Sequence, residues 1–286
     1  MLHHDFKTHI EDLISEKIQS IKPVSGGDIS EAFVITTAKQ KYFLKTNTSN
    51  KLSMFKEEVN GLNAIAKTKT IATPKVYQYG IFNNKSYVLM AWIETKTPTS
   101  NDFKNLATQL ANLHKSTTNC FGFENNNFIG SLTQSNKKHQ NWTNFYVEER
   151  LQPQLNLAKS KKLLNPVEIP STDQLKNSLK TLFTNVKPSL IHGDLWSGNY
   201  IIASNGTPYL IDPAVYYGHN EVDIAMTKLF GGFSNHFYNA YFDIFPTDSH
   251  TYQRIEIYQL YYLLVHLNLF GSSYYGSVKS ILKKLF

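Results

Sequence analysis

Cysteine is almost missing from this chain: Cys120 is the only one in 286 residues. No internal disulfide can form, and no thiolate cluster can hold a metal. The sequence also lacks a long uninterrupted apolar run. Its most apolar stretch, "IEIYQLYYLLVHLNLF", carries Glu256, Gln259, His266 and Asn268, so it reads as a buried core helix and not a membrane span. The start, "MLHHDFKTHIEDL", has no apolar segment of the secretory kind, and a cytoplasmic location is expected. Lysine-rich arms and dense basic stripes are absent. The formal charge of +7 therefore suggests an anionic ligand or simple solubility, and no nucleic-acid partner is expected. No Walker A pattern occurs, which excludes a P-loop NTPase. Ser197 has Leu195 two residues before it, where a hydrolase nucleophile elbow would have glycine.

What remains is an ordinary globular composition, 41% hydrophobic and 18% charged, rich in rings with 17 Tyr and 18 Phe. The length allows one large domain or two lobes. Residues 6–20 place apolar side chains at helical intervals. "EAFVITT" and "KYFLKTN" read as strands joined at Ala38–Gln40, and "KLSMFKEEVNGLNAIAK" as an amphipathic helix. "KVYQYGIF" and "SYVLMAWIE" follow as a hairpin turned at Asn83-Asn84-Lys85. From about Asn101 the pattern becomes helical, in "DFKNLATQLANLHKST", "NWTNFYVEERLQPQLNLAKS", "STDQLKNSLKTLF" and the run from Tyr252. The stretches 125–127 and 133–140 read as loops. The expected fold class is α+β with two lobes: residues 1–93 as a small sheet with helix, and 94–286 as a mainly helical lobe, linked near Glu94–Ser100.

The one clear strand pairing expected in the second half lies in "LIHGDLWSGNYIIASNGTPYLIDPA". Asn205-Gly206 is a strong signal for a two-residue hairpin turn. With that turn, Ser204 faces Thr207, Ala203 faces Pro208, and further out Asn199 faces Asp212. Opposed residues have Cβ atoms roughly 4.5–5.5 Å apart, close enough for two oxygens to share one Mg²⁺, an ion that takes one or two protein oxygens plus phosphates. Asp194 stands five residues before Asn199. The order Asp, Asn, hairpin, Asp matches a kinase catalytic loop and its metal-binding aspartate. Each residue alone would be an ordinary turn residue; the three together point to a site.

The first half supplies the remaining parts of a phosphotransferase. Gly26 and Gly27, followed by Asp28, Ile29 and Ser30, form a turn where backbone can approach phosphates closely. Lys45 lies in the next strand, and Glu58, thirteen residues on in the amphipathic helix, can orient it. ATP and Mg²⁺ are the cofactors this order of parts requires.

The chain resembles the fructosamine kinases, or ketosamine 3-kinases, on the aminoglycoside- and choline-kinase side of the protein-kinase-like fold. The likeness is carried by "HGDLWSGN", "DPAVYYGHNEVDIAM", "LFGGF", "FYNAY", "NWTNFYVEERLQPQL", "FLKTN" and "YQLYYLLVHLNLFG", and it spans nearly the whole chain. The resemblance implies that Asp194 is the catalytic base, that Asn199 and Asp212 hold Mg²⁺, and that Lys45 with Glu58 grips the nucleotide phosphates. It implies that backbone at Met90, Ala91 and Trp92 meets the adenine, that Trp196 stacks on the sugar, and that Asp223 braces the catalytic loop. The implied reaction is transfer of phosphate to the 3-hydroxyl of a ketosamine, free or on a protein amine. Relatives often carry a cysteine in the glycine turn; Asp28 stands there, so redox control at that position is unavailable.

Other readings stay open at this point: a kinase of aminoglycosides, choline-like alcohols or free sugars, and a pseudokinase scaffold. Intact Lys45, Asp194, Asn199 and Asp212 count against the scaffold. His192 reads as a loop brace, His219 and His266 as satisfied core histidines, and Lys159–Lys162 as a solvated helix end. Nothing in the sequence sets an oligomeric state.

Overall fold

A computed structural model describes residues 4–24 and 30–286. Gly26, Gly27, Asp28 and Ile29 of the expected phosphate turn lie outside the described residues. The chain opens with α1 (His4–Ile14) and continues through β1 (Ile18–Pro23), β2 (Glu31–Thr37) and β3 (Lys41–Thr48). Then come α2 (Leu52–Thr68), β4 (Val76–Phe82) and β5 (Lys85–Ala91). The strands form one antiparallel sheet in the order β1-β2-β3-β5-β4. Helix α1 is shorter than the expected 6–20, and Ile18 begins a strand instead. Ser15, at φ 54, takes the left-handed conformation that ends a helix.

The sheet is buried on both faces. Tyr87 and Leu89 join Phe6 and Ile10 of α1 on one side. Val88 and Met90 join Phe55, Val59 and Leu62 of α2 on the other. A strand buried on both faces reads as a near-continuous apolar run, which "YVLMA" is. The β4–β5 turn is Asn83-Asn84, at φ 43 and 61, the two positive angles a type I′ turn requires.

Beyond the sheet, α3 (Ser100–His114) is followed by a short hairpin, β6 (Asn127–Ile129) with β7 (Leu132–Gln134). Helices α4 (Trp142–Tyr146) and α5 (Gln152–Ser160) are joined by a π-helical stretch, Val147–Leu151. After α6 (Thr172–Lys180) come β8 (Ser189–Ile191), β9 (Tyr200–Ile202), β10 (Pro208–Leu210) and β11 (Tyr216–Gly218). The chain ends with α7 (Glu221–Leu229), α8 (Asn235–Ile244), α9 (Thr251–Phe270) and α10 (Tyr275–Leu285). Asn127 and the residues from Thr133 to Gln134, expected in loops, belong to β6 and β7. The β8–β11 pair was also unforeseen. Three-residue strands are too short to display an alternating pattern.

Helix α9 runs through the middle of the main core. Tyr258, Leu260, Tyr262, Leu264 and Leu267 are fully buried, so it is apolar nearly all round, as expected for a central helix. Arg254 at its start holds Glu221 of α7 through Nε–Oε2 at 2.7 Å and a second nitrogen to Oε1 at 2.6 Å. The β9–β10 hairpin is tied to the first half of the chain. Leu210 N–H donates to the Ala72 carbonyl at 2.9 Å, and Ser204 N–H to the Glu94 carbonyl at 2.8 Å. Among the described residues, no helix is long and apolar enough to cross a membrane.

Candidate active site

The loop between β8 and β9 carries Asp194 and Asn199, and a buried frame fixes its path. Asp223, fully buried in α7, accepts the backbone N–H of His192 at 2.7 Å and of Gly193 at 2.8 Å. Its Oδ2 also meets His114 Nε2 at 3.0 Å. Burial works to raise Asp223, but this ring of donors holds it below the usual carboxylate range. His192 spends one ring nitrogen on this loop and the other on the segment after β10. Nδ1 accepts the Asp194 N–H at 3.2 Å, so Nε2 carries the proton donated to the Ile211 carbonyl at 2.8 Å. It is a brace with no nitrogen left over. Tyr262 of α9 completes the frame by donating to the Gly193 carbonyl at 2.8 Å.

The hairpin register differs from the two-residue expectation. Pro208 pairs with Ile202 and Leu210 with Tyr200, and Ile211 N–H donates to the Asn199 carbonyl at 3.1 Å. Asn199 thus faces Ile211 and not Asp212. The turn holds three residues: Gly206 N–H closes onto the Ala203 carbonyl at 2.8 Å with Gly206 at φ 86. A type I turn followed by a left-handed glycine adds one residue to one strand, which moves every pair by one. Asp212 reaches the site instead through its own left-handed backbone, at φ 52, an uncommon conformation for a residue with a side chain.

From the sheet, β3 presents Lys45, which pairs with Ala32 and Val88 in the ladder. Its Nζ bonds Glu58 Oε1 of α2 at 2.8 Å and also the Asp212 carboxylate. Two carboxylates therefore share one ammonium. Burial pushes Glu58 above the ordinary range, and the Asp212 charge opposes its ionisation as well. Burial acts in the same direction on Asp212, yet Lys45 holds it down. Burial opposes charge on Lys45, but the two carboxylates raise it overall. Asp194 is pushed up to about 7, first by burial and then by the negative charges of Asp212 and Asp223.

One cavity of about 550 Å³ gathers Ser30, Lys45, Glu58, Asp194, Asn199 and Asp212. Trp196 also lines it, 40% exposed. A Cβ at residue 198 would stand 2.4 Å from the indole, so glycine there is what lets the ring fold back over the loop. Met90 and Ala91 are not on this cavity. β5 runs to Ala91, whose N–H donates to the Lys75 carbonyl at 2.8 Å. Met90 sits in the ladder between Phe43 and Val76, and its side chain is core. Of the three, only Trp92 lies past the ladder.

The donor set suits a hard cation. Asn199 spends its amide hydrogens on the Asp194 carbonyl at 2.8 Å and on Asp194 Oδ2 at 3.3 Å. Its Oδ1 has no such bond among the described residues, and with the Asp212 carboxylate it offers the oxygens that Mg²⁺ prefers. A second cluster, His139, Glu148 and Glu149, is already paired: His139 with Glu149 at 2.8 Å, and Glu148 with Lys176 outside the cluster at 2.6 Å.

The α9 side of the cavity is not evident from the sequence. Met226, Phe230, His266, Phe270 and Tyr274 line it. His266, expected in the core, is half-buried there. The usable signal was the spacing His266–Phe270, which places both side chains on one face of α9.

Comparison with known proteins settles the family. A sequence profile of the fructosamine kinase family matches residues 2–286. The chain belongs to that family. It is 40% identical over 282 residues to a probable ketoamine kinase of Enterococcus faecium, covering 98% of this chain and 99% of that one. It is also 40% identical over 271 residues to the chloroplastic protein-ribulosamine 3-kinase of Arabidopsis thaliana, covering 93% and 82%. A solved Haemophilus somnus protein described as a fructosamine-3-kinase superposes with a TM-score of 0.88 at 27% identity, covering 98% and 96%. An aminoglycoside phosphotransferase superposes at 0.67 and 16% identity over 98% of each chain, which establishes the protein-kinase-like fold. The chain is a kinase, and its family and relatives support action on ketosamines.

Proposed function

We propose that this kinase transfers the γ-phosphoryl group of ATP to the 3-hydroxyl of a ketosamine: a ribulosamine, erythrulosamine or fructosamine, free or on a protein amine. The observation that carries the reading is the convergence of Lys45, Asp194, Asn199 and Asp212 on one cavity. Residues 1–93 and 94–286 act as two lobes, with ATP between them and adenine toward the exit of β5. A cytoplasmic setting is part of this reading, and a lone free cysteine is compatible with it.

Each side chain has a task set by its surroundings. Lys45, kept charged by two carboxylates, neutralises nucleotide phosphates, while Glu58 keeps it aimed. Asn199 and Asp212 would hold Mg²⁺, which when bound spreads the negative charge building on the phosphates. Asp194 accepts a hydrogen bond from the sugar hydroxyl, aligns it, and takes its proton late, as the O3–P bond forms and the bond to the departing ADP oxygen breaks. A carboxylate pushed up to about 7 is well matched to receiving a proton near neutrality. Trp196 covers the sugar. The 3-phosphate makes the sugar–amine adduct unstable, so the amine is released: a repair step for glycated amines.

The test is Mg²⁺-dependent ATP consumption against a ribulosamine, a fructosamine, free ribose and an aminoglycoside, with product NMR to locate the phosphate. Turnover confined to ketosamines, with phosphate on O3, is the expected result. Preferential turnover of ribose or the aminoglycoside would overturn the reading.

A further inference from the structure

The part of the cavity lined from α9 and the segments beside it has a different chemistry. His266 stands at its centre with Phe230 at 4.7 Å, Tyr274 at 5.2 Å and Phe270 at 5.4 Å, centroid to centroid. All four line the cavity together with Trp196. Trp196, Phe230 and Phe270 are 40, 39 and 54% exposed. So much exposed ring surface around one cavity is unusual unless it meets a partner.

The tautomer of His266 follows from its one bond. Nδ1 lies 2.8 Å from the Tyr262 carbonyl, and a carbonyl oxygen can only accept. Nδ1 therefore carries the proton, and Nε2 presents a lone pair. No other group among the described residues bonds Nε2, whereas His192 has both nitrogens engaged. Burial lowers the His266 pKa, which keeps the ring neutral and Nε2 an acceptor. Among the described residues, no carboxylate bonds the His266 ring.

A ketosamine differs from a sugar in its secondary amine, which is protonated near neutral pH. Electron-rich ring faces attract such a cation, and Nε2 can accept one of its N–H bonds. Resting on the reading that the acceptor is a ketosamine, the geometry points to His266 as a specificity-determining residue. It accepts a hydrogen bond from the substrate ammonium, inside a ring wall of Phe230, Phe270 and Tyr274 that also packs the alkyl part of the amine.

The test separates the amine from its shape. Affinities for N-butyl fructosamine and for the ether 1-O-butyl fructose are measured calorimetrically with a non-hydrolysable ATP analogue and Mg²⁺, independently of turnover. Wild type is expected to bind the amine roughly tenfold or more tightly, the usual scale of a hydrogen bond to a charged group. His266→Phe keeps the ring, removes the acceptor, and should lose most of that preference without changing nucleotide affinity. Phe270→Ala, at an exposed rim position that folding does not need, should weaken the amine severalfold. Equal binding of amine and ether by wild type, or an undiminished preference in His266→Phe, would overturn the inference. Amine-selective binding without phosphorylation of the ketosamine would leave it standing and sink the proposed transfer to O3 alone.

Discussion

The two ends of the cavity solve opposite electrostatic problems. At the sheet end, Lys45, Glu58 and Asp212 bind one another so fully that little charge is left over. At the α9 end, rings dominate, and the one strong polar group, His266, has a nitrogen to spare. A site that must receive a polyanion and a cation at dissimilar places gains from keeping them apart. The charged end is preorganised by its own ion pairs, which bound phosphates and metal rearrange. The ring end is preorganised by packing and waits for a charge to arrive. Catalysis should therefore fail from one end, and acceptor selection from the other.

The largest break in that contrast is expected from Asp212→Ala, which removes the carboxylate shared by Lys45 and the metal. kcat should fall on the order of 10³-fold or more, with the KM for the ketosamine little changed, because losing one preorganised electrostatic group typically costs about 10²–10³ and metal affinity suffers besides. A rise in acceptor KM with kcat preserved would contradict the division of labour. Next comes Asp223→Asn. His192 N–H and Gly193 N–H donate to different oxygens of Asp223, so with one oxygen replaced by an amide NH₂ one of them loses its acceptor, and the pairing with His114 weakens. Disturbing a buried charged network is expected to cost about 3 kcal/mol and to lower both Tm and kcat. Denaturant unfolding and steady-state rates read the two effects together.

At the ring end, Phe230→Ala should raise the ketosamine KM about tenfold and leave the ATP KM and kcat within about twofold, an effect of the size expected for one lost ring contact. The smallest effect has a sign that discriminates. Asp194 in the folded protein is raised to about 7, above its ordinary value near 3.8. Between those limits the folded state binds the proton more tightly, so stability falls as pH rises toward 7 and stays lower above it. Asp194→Asn removes a carboxylate the fold tolerates poorly. In metal-free protein at pH 8 its Tm should rise, by roughly 2–6 °C, and the gain should vanish near pH 4. A lower Tm at pH 8 would contradict the assigned electrostatics.

The sequence disclosed the charged end because that chemistry depends on short, ordered intervals. Asp194, Asn199 and Asp212 fall within nineteen residues, and Lys45 and Glu58 sit on elements whose periodicity was plain. What escaped was anything decided by a single residue of geometry. The three-residue turn moved Asn199 from Asp212 to Ile211, and Ser15 ended α1 early, freeing Ile18 for an edge strand. The short strands β6, β7, β8 and β11 hold too few residues to show a period. The ring wall escaped for another reason. Phe230, His266 and Tyr274 come from separate segments, and an aromatic on an apolar helix reads as core until tertiary packing leaves it at a cavity. His266 and His192 look alike in sequence, and only their hydrogen bonds tell brace from probe.

The most direct test of the account is kcat/KM for a ribulosamine with ATP and Mg²⁺ in wild type and in Asp194→Asn, together with the nucleotide Kd of each. The account predicts that the substitution removes most turnover while nucleotide affinity stays nearly intact. Equal loss of both, or turnover that survives, would contradict Asp194 as the residue that receives the proton.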